Sequence, residues 1–378
     1  MRLKDITTLN PQYRGKELYN NVSFVPMESL RNGSIDLKDI SFAEGKGKYT
    51  YFGNGDLLVA KVTPCFENGN IAIADNLEHG IGFGSSEIFV LRMKKGFLNS
   101  YLFYLSQTSK FQDAACATMC GVGGLKRISP LFMRTYELDL PVLSEQQRIV
   151  EKLDAQLSSI DKRISALEKQ LDAYAQLKKS IIHQAVTRGL NLNVTLKDSG
   201  IEWIGMIPEH WNELHLKNCV CINNGSDYKD IEVANGFPVI GSGGVFAYAS
   251  EKMYDGEVLF LGRKGTIDKP LYYNGPFWSV DTMFYAVPKK NSNCKYLYYC
   301  STQFPFGKIS TATALPSMTQ KELYQLPIML PPLSEQQEIA NYLDEKCAKI
   351  DAAIENITKQ IDASKRLRKA IINEAISG

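Results

Sequence analysis

The chain has 378 residues, of which 44% are apolar and 22% charged, and a formal net charge of +2. That length exceeds one ordinary core, so two or three globular domains are expected, and the composition is neither disordered nor fibrous. The absence of a run of about 18 apolar residues argues against a membrane-spanning helix, and the mixed-charge start Met1-Arg2-Leu3-Lys4-Asp5 is no secretory leader; a cytoplasmic protein without membrane contact is expected.

Residues 1–140 read as a first globular half. Glycine, aromatic and β-branched residues are frequent, with strand-like runs at Asp56–Val62 and Ile88–Leu91 and a helix-like segment around Ser100–Phe111. Asn10-Pro11-Gln12-Tyr13 is one residue from the Asn-Pro-Pro-Tyr loop of amino-methyltransferases, but the glycine-rich cofactor strand that such a loop needs is not beside it. Glu44-Gly45-Lys46, with Asp36 upstream, imitates a nuclease triplet that is common by chance. Four histidines in no paired arrangement offer little acid–base chemistry. Neither catalysis nor a cofactor is expected. Contact chemistry is better represented. Lys46, Lys48, Tyr49 and Lys61 interleave charge with an aromatic ring, and Lys126 and Arg127 follow the glycine-rich run Gly121-Val122-Gly123-Gly124. Clusters of this kind suit a phosphate backbone, although any one of these cations could equally be a solvated surface group.

Residues 141–190 read as one long helix. Pro141 blocks helix upstream, and Ser144 with Gln147 forms a capping-box pattern. Apolar residues then alternate at spacings of three and four: Val150, Leu153, Leu157, Ile160, Ile164, Leu167, Leu171, Tyr174 and, after a break at Lys178, Ile181 and Ala185. Such a heptad predicts a coiled coil, and Gly189 is its expected C-terminal cap.

Residues 191–330 read as a linker and a second globular half. Leu214 to Cys221 alternates like a strand, Val258–Leu261 is strand-like and Asn293–Thr302 helix-like. Cys219 and Cys221, near His215 and His210, imitate half a metal site, as do Cys116 and Cys120, but no second pair stands at the required distance and no metal is expected. Gly262-Arg263-Lys264-Gly265-Thr266 lacks the spacing of a phosphate loop. It does place two cations and a hydroxyl, Arg263, Lys264 and Thr266, on a glycine-flanked turn, where arginine could fork onto guanine. Formal charge is about +2 over residues 1–140 and about −1 over 191–330, so any DNA affinity is local or shared with a basic partner.

Residues 331–378 read as a second long helix, and here the chain repeats itself. Residues 138–187 align with 328–377 at a constant offset of 190, with roughly 20 of about 50 positions identical, centred on Leu143-Ser144-Glu145-Gln146-Gln147 and Leu333-Ser334-Glu335-Gln336-Gln337. The chain is a duplication of one unit, a globular half followed by a long helix. The weak likeness of Gly55-Asp56-Leu57-Leu58 to Gly256-Glu257-Val258-Leu259 suggests that the halves share a fold while differing in surface. Connectivity favours antiparallel helices: the second half leaves the end of one and feeds the start of the other, which would relate the units by an approximate two-fold axis.

These features together resemble the specificity subunits of type I restriction–modification systems. The resemblance rests on the two helix starts, on Gly55 to Arg92 and Leu259 to Tyr285, which are similar to two classes of target-recognition domain, and on Lys197 to Trp211, which is similar to the usual lead-in to such a domain. One departure is that residue 1 starts directly in the first domain, without a tryptophan-bearing lead-in. The resemblance implies an α+β fold: two mixed α/β target-recognition domains, in pseudo-two-fold arrangement, joined by two long antiparallel coiled-coil helices. It implies a non-catalytic subunit in which each domain reads half of a bipartite site in double-stranded DNA. The helices would set the spacer and dock two methyltransferase subunits, with restriction/translocase subunits as further partners. The competing reading is a coiled-coil scaffold that binds only proteins.

Overall fold

A computed structural model describes residues 1–15, 19–122, 124–309 and 316–377. Gly123, inside the glycine-rich run, lies outside them. The fold is α+β, with sheet-rich globular parts and two long helices. Two units are distinct: the first comprises Met1–Glu168 with Lys359–Gly378, the second Lys169–Thr358.

In the first unit, a four-stranded antiparallel sheet has the order Thr7–Leu9, Ile88–Met93, Leu57–Ala60, Ile71–Ile73. The Leu57–Ala60 strand is apolar without alternation because both its faces are covered, and all four residues are buried. A second four-stranded sheet, ordered Lys38–Ser41, Asn21–Val25, Ile81–Gly84, Thr50–Gly53, carries the short helix Phe42–Lys48 against it. Asp56, 3% exposed at its side chain, receives both the Gly53 amide (2.7 Å) and a two-pronged grip from Arg92 (2.8 and 2.6 Å). The segment read as one helix over Ser100–Phe111 is two, Asn99–Ser106 and Ser109–Cys116. The Thr108 hydroxyl accepts from the Phe111 amide and starts the second.

In the second unit, a seven-stranded sheet opens with the same order: Val220–Asn224, Met283–Pro288, Tyr254–Gly262, Leu271–Ser279. It continues through Phe237–Gly241, parallel to the last of these, then Gly244–Ala249 and Glu232–Val233. Leu214 to Cys221 is not a continuous strand. A strand, Asn212–His215, gives way to the helical turn Leu216–Cys219, because the Asn218 side chain accepts from the His215 amide and closes the turn. The first unit repeats this device at Leu3–Ile6, where Asp5 accepts from the Arg2 amide.

The long helices run Leu143–Arg188 and Leu333–Ser377, 46 and 45 residues, each about 65–70 Å at 1.5 Å per residue. The Ser144–Gln147 capping box does not form. Both helices begin at the leucine, so Ser144 and Ser334 are already inside them; the Val142 carbonyl accepts from the Glu145 and Gln146 amides and the Pro332 carbonyl from the Gln336 amide. Within each unit the helices pack antiparallel. In the first, Asp161 pairs with Arg368 (2.8 Å) and Glu168 with Lys365 (3.5 Å), so advance along one helix is retreat along the other. Leu153 and Leu157 are buried there with Ile372, each such side chain contributing about 2 kcal/mol. In the second, Ile182, Ala185 and Val186 share a core with Ile339, Ala340, Leu343 and Cys347. Lys178, the break in the apolar series, pairs with Asp351 at 2.6 Å. Lys178 and Arg368 are equivalent in the repeat, as are Asp351 and Asp161, so one cross-helix pair occurs twice.

Each unit also joins its globular part to its helix in the same way. The Gln146 side chain, 2% exposed, donates to the Pro141 carbonyl (2.8 Å) and accepts from the Leu98 amide (3.3 Å) at the start of helix Asn99–Ser106. Gln336, fully buried, donates to the carbonyls of Pro331 (2.8 Å) and Asn291 (3.1 Å) and accepts from the Asn293 amide (2.8 Å) before helix Cys294–Ser301. Just over two turns further along each long helix, Tyr104 donates to Asp154 at 2.5 Å and Tyr299 to Asp344 at 2.8 Å, with Lys295 also on Asp344. Gly189 ends the first long helix with φ +72° and lies against Trp211, whose indole donates to Glu335 at 3.1 Å.

Candidate nucleic-acid interface

The cations singled out in the first half fall into two patches. Lys46 and Lys48 stand on helix Phe42–Lys48, whose start is capped by Ser41 accepting from Glu44, and Tyr49 follows at its end. Lys48 pairs with Glu44 at 3.4 Å, an exposed i,i+4 contact worth a few tenths of a kcal/mol. The Lys46 amine lies 6.0 Å from the ring centres of Tyr13 and Phe42, and the Tyr49 ring packs on Phe24 at 4.7 Å.

Lys61 belongs to the other patch, with Lys126 and Arg127. It follows the strand Leu57–Ala60, and its carbonyl accepts from the Ile128 amide at 2.8 Å. Next to it, the Thr63 amide donates to the Lys126 carbonyl and the Lys126 amide donates to the Thr63 hydroxyl, both at 2.9 Å. The hairpin Cys120–Val122/Leu125–Arg127 is thereby fastened over Lys61. Arg127 is forked onto Glu87 at 2.9 and 3.0 Å, and that guanidinium, with help from Lys61, holds the Glu87 carboxyl below its ordinary range. Lys126 is exposed beside this neutralised pair.

In the second half, Arg263, Lys264 and Thr266 lie where strand Tyr254–Gly262 leaves the sheet. The amides of Arg263 and Lys264 both donate to the Thr282 carbonyl (2.9 and 3.2 Å), and the Gly265 amide, at φ +80°, donates to that of Pro316 (2.9 Å). Gly262 is required because a Cβ there would overlap the Thr266 carbonyl across the turn. The Arg263 guanidinium lies over the Phe284 ring at 5.8 Å and gives one N–H to the Asp281 carbonyl at 3.2 Å. This half-buried arginine is pre-oriented, whereas Lys264 is exposed.

Sequence reasoning passed over Val245, Phe246 and Tyr248, which are 49%, 57% and 43% exposed on strand Gly244–Ala249. It also set aside Asn10, Gln12 and Tyr13 with the near-match to a methyltransferase loop. Aromatic residues flanked by glycine outside any apolar period were the available signal. Among the described residues no cluster of three or more metal-ligating side chains exists; Cys219 is buried and Cys221 exposed. No described helix is long and apolar enough to cross a membrane.

The family model for the type I restriction modification DNA specificity domain matches residues 1–173 and 208–363. The chain belongs to that family. Among relatives of this DNA specificity family, the type I restriction enzyme EcoAI specificity subunit of Escherichia coli is 32% identical over 184 residues. That match covers 48% of this chain and 31% of the relative, so the chain spans about a third of its length. The putative type I restriction enzyme MjaX specificity subunit of Methanocaldococcus jannaschii is 23% identical over 380 residues, covering 93% of this chain and 85% of that one. A chain solved in work on complex assembly and conformational transition of the type I R-M system superposes with a TM-score of 0.66. At 18% identity it covers 100% of this chain and 96% of its own length, a likeness of fold.

Proposed function

We propose that this chain is the DNA-binding specificity subunit of a type I restriction–modification complex and performs no catalysis itself. Each globular half reads one half of a bipartite double-stranded target. The helices fix the spacer and dock two methyltransferase subunits, and restriction/translocase subunits join the same complex, in the cytoplasm where host DNA lies. In domain terms, residues 1–140 and 191–330 are the recognition parts, the latter with its linker, and 141–190 and 331–378 are the helical frame.

The observation that carries this reading is a uniform frame bearing dissimilar surfaces. The glutamine and aspartate contacts to the globular half recur in both units, while the cations presented differ: Lys46, Lys48, Lys61, Lys126 and Arg127 in one half, Arg263 and Lys264 in the other. A protein-only scaffold gives no reason for such divergence. The test is an electrophoretic shift with the partner methyltransferases present, on target and scrambled duplexes. Arg263→Ala should lose about ten-fold or more in selectivity at one half-site, since a two-pronged arginine–guanine contact discriminates by about 1–3 kcal/mol. Equal weakening on every sequence would make Arg263 a phosphate contact, and an assembly without sequence selectivity would make the chain a scaffold.

A further inference from the structure

The first recognition half contains a cavity of about 310 Å³ that no step above uses. Three tyrosines line it, Tyr13, Tyr49 and Tyr51, with Phe83 buried behind them, together with Lys46, Asn10 and Gln12. Its geometry is fixed from several sides. Asn10 sits in the left-handed region (φ +49°); its amide donates to the Val90 carbonyl (2.7 Å) and its side-chain oxygen accepts from the Val90 amide (2.9 Å), so the Asn10–Tyr13 segment is pinned to strand Ile88–Met93. Helix Phe42–Lys48 seats directly on Phe83, since a Cβ at Gly45 would overlap that ring. Tyr13 meets Tyr51 edge-on with centres 5.3 Å apart. Tyr13, Tyr49 and Tyr51 are half-buried, so part of each stays accessible.

Accessible aromatic rings suit a flat ligand that can stack on one of them. An organic cation is disfavoured because the Lys46 amine already lies over the Tyr13 ring. A ring that stacks on aromatic faces, offers an edge to amides and carries an anion for a lysine is a nucleotide. We propose that this cavity receives one nucleobase turned out of the DNA stack, its 5′ or 3′ phosphate meeting Lys46. The proposal rests on the DNA-reading role above and deepens it: at one position the first half reads an unpaired base inside a pocket rather than a base edge in a groove.

The test uses the full chain assembled with its methyltransferases and target duplexes carrying one mismatch stepped through the first half-site. A mismatch removes the cost of unpairing, so at one position it should tighten binding about ten-fold. Tyr49→Ala should abolish that gain there while leaving discrimination at the second half-site intact. A gain that survives Tyr49→Ala assigns the unpaired base to a partner subunit and overturns the proposal. Selective binding with no mismatch gain anywhere overturns it too, while leaving the DNA-reading role standing; absence of any selective binding overturns that role as well. Photo-crosslinking on the unaltered protein guards against misfolding of the variant. 5-Iododeoxyuridine at the responsive position should attach to Tyr13, Tyr49 or Tyr51, and attachment confined to other residues counts against the pocket.

Discussion

Gln146 and Gln336 are amides held where apolar side chains usually sit, and their neighbours explain it. Each bonds on both its oxygen and its nitrogen: backward to the proline before the helix and sideways to a backbone amide of the globular part. Replacing Gln336 by Leu would leave the Asn293 amide and the carbonyls of Asn291 and Pro331 without this partner in a buried place. A loss of about 1–3 kcal/mol is expected from the orphaned groups, measurable as a lowered denaturant midpoint, and an unchanged midpoint would show that water replaces the amide. Two thiols offer a pH-based check on the same core. Burial pushes Cys294 and Cys300 up to about 12, so native chain at pH 8 should alkylate at exposed Cys120 and Cys221 first. Because these two pKa values are raised relative to an unfolded thiol near 8.5, their contribution to stability is complete below that value. It is lost as pH climbs from there through about 12. Labelling of Cys300 at the rate of Cys120 would contradict its burial.

The elements differed in how openly the sequence announced them. The long helices were legible because heptad spacing, a preceding proline and a terminal glycine agreed, and Gly189 does take the left-handed conformation that a helix end uses. Their starts were misread because serine followed by glutamine imitates a cap; the amide that matters is Gln146, one place earlier, and its role depends on residues 48 positions away. Lys178 looked like a flaw in the seam but is one end of a cross-helix ion pair, which only tertiary structure could reveal. In the globular halves the strands were found in outline. The regrouping of Lys61 with Lys126 and Arg127 followed from a hairpin fastened by Thr63, a long-range contact without local signature. If the proposed reading holds, the helices act as a ruler. One heptad added to both keeps the seam in register and lengthens each by about 10 Å, roughly three base pairs at 3.4 Å each. Methylation of a library with graded spacers should then prefer a longer spacer with unchanged half-sites; a fixed preference would show that something other than the helices measures the distance.

At the scale of the whole molecule, the two units are built alike but are not threaded alike. The second is one continuous stretch, Lys169–Thr358, whereas the first is completed only by Lys359 onward. That distant segment is no ornament: Ile372 is buried in the first unit's core, Arg368 bonds both Gln107 and Asp161, and Asn373 accepts from the Ser109 amide. The consequence concerns time. On a ribosome adding about 5–20 residues per second, roughly 10–40 s separate the synthesis of residue 168 from that of residue 359. Throughout that wait the half made first has an uncovered helix face, and the half made second is the one able to finish first. Nascent chains stalled with residue 358 just outside the exit tunnel should therefore resist protease over 169–358 and be cut within 1–168, and release of a further 20 residues should protect both. Equal resistance at the earlier stall would mean that the opening half closes on itself before its last helical turns exist, and that a holding factor has nothing to guard in the interval.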